Sequence, residues 1–438
     1  MMQIKKIFSS HPPDYWLLGL LILLYPTAVW LVPSGGSSIF NILGLGGLLC
    51  WLTIRKWPCD QQTNIVIITL LLYMTVTAIS WLVNGMEDAA YKLLRRHMLF
   101  ILAAFGAVWL AWRKPGEEYY WWGVTIGANF IGLTGCYIFF LGDSFRANIN
   151  NLTQVNPIVF GQLCVLLFTL TSASFTYFYR FKPWGFLLPT SGLILSLVAA
   201  IGSETRGAWL ALPVVLIITI FHYRKALVNN FGKSLISIIV FFTLFFSFSG
   251  WQIVEKRLKD ATEEINTYFE EKNINDSISV RTRIDMWKAA FESGKRSIII
   301  GPGKDEFQRV AKDGVEKGLY IESAASHHFP HSELATAFGY HGIIGITVLL
   351  FVFLTPSIIF ITKIRNSSIP EKQSLPLAGL MTVVCFAIFS LTDSPFEQRP
   401  TIMIFSLLIL LPLNLKTMSH IKNESKQKRL TQSHSIKQ

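Results

Sequence analysis

The sequence predicts an all-α polytopic membrane protein of about twelve transmembrane helices with a helical cap on one side. Three observations carry that expectation. Of 438 residues, 51% are apolar and only 15% charged, far below the roughly one-quarter charged share of ordinary soluble domains. Uncharged runs long enough to cross a hydrocarbon core of about 30 Å recur along the chain, beginning with YWLLGLLILLYPTAVWLV at Tyr15 to Val32. A single polar stretch between two of these runs is long enough to hold structure of its own.

The runs fall at 15–32, 38–54, 64–83, 97–112, 119–141, 157–178, 184–202, 207–222, 234–251, 335–362, 376–391 and 400–415. They divide the chain into helices one to nine (1–251), a large loop or cap (252–334), helices ten to twelve (335–415) and a basic tail (416–438). The first run follows Lys5 and Lys6 but has no small-residue cleavage site and is too long for a signal-peptide core, so it is read as retained. With the N-terminus inside, alternate loops are cytoplasmic. Twenty of the 39 Lys and Arg then lie in inner segments, among them Arg55/Lys56, Arg113/Lys114, Arg180/Lys182 and six in the tail. The short outer loops hold six: Lys92, Arg95, Arg96, Arg146, Arg206 and Arg399. That bias follows the positive-inside rule, and the long segment is exempt because long loops translocate largely regardless of charge.

The net charge of +12 therefore belongs to inner loops and tail, where it favours anionic headgroups of the membrane lipids, and no nucleic-acid partner is needed to explain it. Five cysteines, Cys50, Cys59, Cys136, Cys164 and Cys385, lie in or beside predicted spans. They form neither a disulfide framework nor a metal spacing, so the outer segment must hold together by packing.

Within that segment, Val254, Leu258, Ala261, Ile265 and Tyr268 step by four and three and predict a helix continuing span nine. A second helix is expected over Arg281 to Gly294 with Ile284, Trp287 and Phe291 on one face and Arg283 a turn before Trp287. The run SIIIGPGKDEFQRVAKDG then reads as a short apolar stretch, a Gly-Pro-Gly turn and a third helix. GPGK lacks the spacing that wraps a nucleotide phosphate.

Charge near membrane depth is costly, roughly 2.5 to 3.5 kcal/mol for a guanidinium at a helix centre. Arg206 in IGSETRGAWLALP sits on a very short outer turn. It is read either as a snorkelling side chain paired with Glu204 or as a functional group in a wet cavity. Four of nine histidines, His327, His328, His331 and His341, crowd into residues 326–345. Pro330 disfavours a helix through His327 and His331, and no HExxH occurs, so no metal site is expected. An interfacial position suits His327 and His341, whereas His331 stands at the cavity-facing start of span ten. Lys92, Arg95, Arg96 and His97 read either as contacts to an acidic saccharide or as headgroup contacts.

HSELATAFGYHGIIG, a His-Ser pair followed nine residues later by Gly-x-x-Gly, resembles the signature of the bacterial O-antigen ligase family. RGAWLALP at 206–213 resembles that family's other marked segment, and RIDMW with IIIGPGKDEF (283–287, 298–307) is similar to the Arg-x-x-x-Trp and Gly-x-Gly-x-x-x-Phe pattern of its outer loop. Order and placement match over residues 15–415. Many relatives carry a second His just before the signature His; here Pro330 stands beside it, and the nearest ring is His328.

The resemblance implies a C-type glycosyltransferase membrane fold and transfer of O-antigen polysaccharide from undecaprenyl diphosphate to the lipid A-core oligosaccharide, at the periplasmic face of the inner membrane. The donor's own bond between sugar and lipid pyrophosphate drives such a transfer, so no cofactor and no metal is expected. His331 is the expected general base, since imidazole titrates nearest neutrality. Arg206 and Arg283 are the expected diphosphate clamp, since guanidinium is a planar fork that stays charged. Arg281, His328, Arg146 and Arg399 are further candidate substrate contacts, and for the arginines a solvated loop position is the simpler reading. The rivals are an O-antigen polymerase of the same superfamily and a multi-span transporter. The transporter reading would call for inverted repeats with paired broken helices, which the sequence does not display.

Overall fold

The computed structural model describes residues 12–140, 148–149, 152–181, 184–229 and 278–417, with isolated positions at 255, 259 and 262. Predicted span nine, the stripe from Val254 to Tyr268, Arg146 and the tail beyond Thr417 lie outside the described residues.

The described chain is helical throughout. Its elements are α1 (Pro13–Leu31), α2 (Gly35–Ile54), α3 (Gln61–Val83), α4 (Asp88–His97), α5 (Leu99–Arg113), α6 (Glu118–Phe140), α7 (Pro157–Phe178), α8 (Leu187–Gly202), α9 (Arg206–Trp209), α10 (Ala211–Asn229), α11 (Ile278–Arg296), α12 (Lys304–Glu316), α13 (Glu322–Ser326), α14 (Glu333–Arg365), α15 (Pro370–Thr392) and α16 (Arg399–Asn414). Among the described residues, nine helical segments are long and apolar enough to cross a membrane, and α8 and α16 are shorter apolar helices. The protein is therefore a multi-pass membrane protein. Each predicted span within the described residues has a helix, but the fourth begins nine residues early: α4 is amphipathic, breaks at Met98 and hands over to the apolar α5.

Local chemistry sets several starts. Asp60 accepts from Thr63 N at 2.8 Å to cap α3, and Asn156 accepts from Val159 N at 2.8 Å to cap α7, whose first residue is Pro157. Both devices satisfy donors that a helix start leaves orphaned. The pairs α6–α8, α1–α6, α7–α8, α3–α14, α14–α15 and α7–α15 pack side by side. α7 is enclosed on nearly all sides, whereas α10 is largely exposed. A single apolar core runs through the bundle, and a second, smaller one (Ala289, Ala290, Phe307, Val310, Ala311, Tyr340 and Leu93) joins α11 and α12 to α4 and α14.

α11 to α13 thus form a cap fastened to one end of the bundle. The cap's inner face is not the apolar stripe of Ile284, Trp287 and Phe291. Thr282, Asp285, Met286, Ala289, Ala290 and Ser293 are buried, whereas Trp287 and Phe291 are exposed. Small side chains win this face because α11 must come close to α14: Ser293 donates to Gly339 O at 3.0 Å, and Ala290 touches Gly339.

α14 holds a second device. At Gly342 the backbone takes φ 62° and ψ −152°, breaking the helix, and the N–H groups of Ile343 and Ile344 turn to the carbonyls of Ile298 and Ile299 at 2.8 and 3.2 Å. A Cβ at Gly342 would collide with those carbonyls. Glycine alone permits both the dihedral and the approach.

Candidate active site

Pro330 ends the short α13 segment's exit, and the next residue, His331, adopts φ 52°. Left-handed backbone is uncommon for a residue with a side chain. Ser332 follows as the N-cap of α14, its Oγ accepting from Ala335 N at 3.4 Å. The sharp turn projects the His331 ring toward α15. Its Nδ1 lies 3.3 Å from Asp393 Oδ1, with the ring 15% exposed and the Asp393 side chain 2%. His331 therefore stands before the helix that the sequence expected it to start.

Asp393 is held from every side. It ends α15, donating its N–H to Phe389 O at 2.9 Å and accepting from Glu333 N at 3.0 Å on its own carbonyl. Its Oδ2 accepts from Gln162 Nε2 of α7 at 3.0 Å and from Gln398 Nε2 at 3.1 Å. Charge-assisted bonds of this kind fix a carboxylate's direction, so Oδ1 is left to face His331. A carboxylate at Nδ1 keeps the proton there and turns Nε2 into the acceptor.

The segments that carry the candidate arginines are fastened near this pair in two ways. Arg206 opens α9, whose next residue, Gly207, approaches so closely that a Cβ there would collide with the side chain of Thr392, the neighbour of Asp393. Thr205 Oγ1 donates to Pro157 O at 3.1 Å and Trp209 Nε1 to Ala200 O at 2.9 Å, pinning this turn between α7 and α8. Arg283 lies on α11, and α13 is tied to that helix by the Thr282–Ser323 hydroxyl pair at 2.6 Å and by Ile321 N donating to Asp285 Oδ2 at 3.2 Å. This brings His327 to the His331 ring, edge to face with centroids 5.1 Å apart. Desolvation, then the neighbouring His331, His328 and Arg283 charges, hold the His327 imidazole below its ordinary pKa. His327, His331 and Asp393 thus form one chain of neighbours, with the Arg283 charge acting on His327.

The remaining candidates are dispersed. Arg281 faces Asp285 on its own helix, Nε to Oδ2 3.9 Å. His328 is exposed, its carbonyl receiving Tyr340 Oη at 3.4 Å. Arg399 is exposed at the first turn of α16, and Arg146 is not among the described residues.

Behind the site lies a buried polar network. Glu397 receives Lys304 Nζ at 2.6 Å and Arg96 Nη1 at 2.8 Å. Glu333 accepts from Tyr73 Oη at 2.8 Å and from Phe396 N at 3.0 Å. His97 bridges Thr77 at 2.8 Å and Phe396 O at 3.0 Å, and Thr77 also faces His341 Nε2 at 3.5 Å. This corrects two expectations. His341 is buried in the bundle rather than interfacial, and Arg96 and His97 turn inward to these partners, while Lys92 and Arg95 stay exposed. The reason is that α4 is amphipathic and docks its inner side on the 395–397 turn.

Asp393, Gln162, Gln398, Glu333, Lys304 and Glu397 were not singled out in the sequence. The one signal for Asp393 was an acid directly after an apolar span in TDSPFEQRP, which a helix end explains equally well. Among the described residues no three or more His, Cys, Asp or Glu come together as a metal site would require.

Against known proteins, residues 191–350 match the family model described as O-Antigen ligase, a stretch that contains Arg206, Arg283 and His331. An uncharacterized protein of Haemophilus influenzae (strain ATCC 51907 / DSM 11121 / KW20 / Rd) is 23% identical over 387 residues, 86% of this chain and 93% of its own length. The matched segment spans both the cap and the His331 turn, so this part of the chain is similar to the O-antigen ligase family.

Proposed function

We propose that the protein transfers an O-antigen glycan from undecaprenyl diphosphate to the lipid A-core oligosaccharide at the periplasmic face of the inner membrane. The match of residues 191–350 to the O-antigen ligase family model supports a glycosyltransferase of the ligase or polymerase kind. The observation that carries the chemistry is the His331–Asp393 pair, 3.3 Å apart and flanked by the segments bearing Arg206 and Arg283.

In this reading an acceptor hydroxyl gives its proton to His331 Nε2 as its oxygen bonds to the donor's anomeric carbon. The bond from that carbon to the diphosphate oxygen breaks, and the diphosphate leaves with the electron pair. Asp393 holds the imidazole in the tautomer that presents Nε2 and steadies the cation formed. Base assistance of this type contributes typically 10² to 10⁴ in rate. Arg206 and Arg283 face the growing charge on the diphosphate, a contribution of similar or larger size. The transfer draws on the donor's own bond, so a nucleotide has no part in it.

The test is the lipopolysaccharide gel pattern of a deletion strain. Loss of a ligase leaves bare core with polymer stranded on the carrier, and complementation with wild type but not with His331→Ala restores the ladder. Core bearing a single repeat in the deletion strain would instead identify a polymerase, and an unchanged ladder would overturn both.

A further inference from the structure

α11 has three sectors. At about 100° per residue, Met286, Ala289, Ala290 and Ser293 point into the cap core, while Arg281, Lys288, Glu292 and Lys295 share a charged flank. Between them lies the stripe of Ile284, Trp287 and Phe291, within about 60° of one another by the same geometry. Trp287 is 38% and Phe291 54% exposed, and the chain continues into Ile298 and Ile299, exposed by 52% and 66%. A cap resting in water would not gain from so much open apolar surface.

Where this surface leads identifies its occupant. Ile298 and Ile299 accept backbone bonds from Ile343 and Ile344, which open the lower part of α14 with exposures of 53% and 40%. α14 is an apolar helix long enough to span a membrane, so its outward isoleucines face lipid. Phe291 also meets Phe338 of α14, centroids 5.5 Å apart, and Leu334 above it is 39% exposed. The apolar stripe of α11 is thus the upward continuation of a lipid-facing surface. Lys295 Nζ lies 4.6 Å from the Phe291 ring centroid, at the border of stripe and charge. Aromatic rings edged by lysine are the composition of a helix lying in a bilayer interface.

We propose that α11 is an interfacial helix, with Trp287, Phe291, Ile298 and Ile299 immersed in the adjoining leaflet of the bilayer and Lys288, Lys295 and Arg296 at its headgroups. The cap is then anchored at a fixed depth. For the proposed function, on which this consequence rests, Arg283 one turn away is held at the level of lipid phosphates.

Two measurements test the immersion without reference to activity. Nitroxides at 287, 291 and 299, on a cysteine-replaced protein in liposomes of phosphatidylethanolamine and phosphatidylglycerol, should collide several-fold more with oxygen than with a water-soluble nickel chelate. A label at the exposed Lys312 should show the reverse. Access to nickel at 291 equal to that at 312 overturns the proposal, and low access to both reagents does so too, because another part of the protein then covers the stripe. In the otherwise native sequence, a benzophenone side chain at 291 irradiated in membranes should form a phospholipid adduct; an adduct within the chain, or none, contradicts the assignment.

Discussion

Lys304 of the cap and Glu397 of the turn before α16 share an ion pair of 2.6 Å, with side-chain exposures of 6% and 0%. The pair fastens the cap to the segment that continues from Asp393, and Arg96 joins it from α4. Two of the glycines before Lys304 have positive φ, and Asn84 Nδ2 donates to Gly301 O at 3.0 Å. The GPGK stretch is therefore a structural clasp rather than a phosphate loop.

Glu397→Gln should be the costlier single change, because it leaves the buried Lys304 charge without its partner, a loss of about 3 to 5 kcal/mol, whereas Lys304→Met leaves Glu397 still paired with Arg96. Lys304→Met and Glu397→Gln should each lower the unfolding temperature in detergent. The double variant should lose less than the sum of the two. Strict additivity in a thermal melt would show that the groups do not interact.

Asp393→Asn preserves shape but replaces an acceptor with an amide that can present N–H to His331. On the proposed chemistry the transfer rate should fall by about 10² or more, toward the 10² to 10⁴ expected for His331→Ala, with expression and melting unchanged. A purified, reconstituted transfer assay reads this. Near-normal turnover in either variant would remove the pair from catalysis.

Gly342→Ala must fit a Cβ against the Ile298 carbonyl at φ 62°, whereas Gly318 at φ 66° has open space around it. Gly318→Ala should cost only the dihedral penalty of about 1 to 2 kcal/mol. Gly342→Ala should cost clearly more and loosen the cap, seen as faster amide exchange at Ile343 and Ile344. Equal melting temperatures would contradict the collision.

His327 is held below its ordinary pKa of about 6.5 by desolvation and then by the His331, His328 and Arg283 charges. Above that value the ring is neutral in folded and unfolded chains alike, and its favourable contribution is whole. As pH falls below about 6.5 the unfolded chain binds a proton first, so stability drops through the folded value. His327→Asn should flatten the acid side of the stability profile, and imidazole NMR should place the His327 titration below that of a free histidine. A midpoint above 6.5 would reverse the sign.

Arginine groups acting on the diphosphate make a divalent ion dispensable in the proposed reaction. EDTA should leave purified transfer activity intact. Activity lost to chelation and regained only with a divalent ion would overturn this part.

Hydropathy made the membrane class legible because each span must satisfy its own backbone bonds in lipid, so its signal is local. Sequence order likewise marked His331, Arg206 and Arg283 through short motifs. What the tertiary structure alone decided is which side chains stand beside His331. Asp393 is 62 residues from His331, and Gln162 is 231 residues from Asp393; no periodicity links such positions. The same holds for the face of α11, where an apolar stripe was visible but its direction was not. Periodicity reports that a side is apolar, and only packing against α14, through small residues, decides that the larger apolar side chains turn outward.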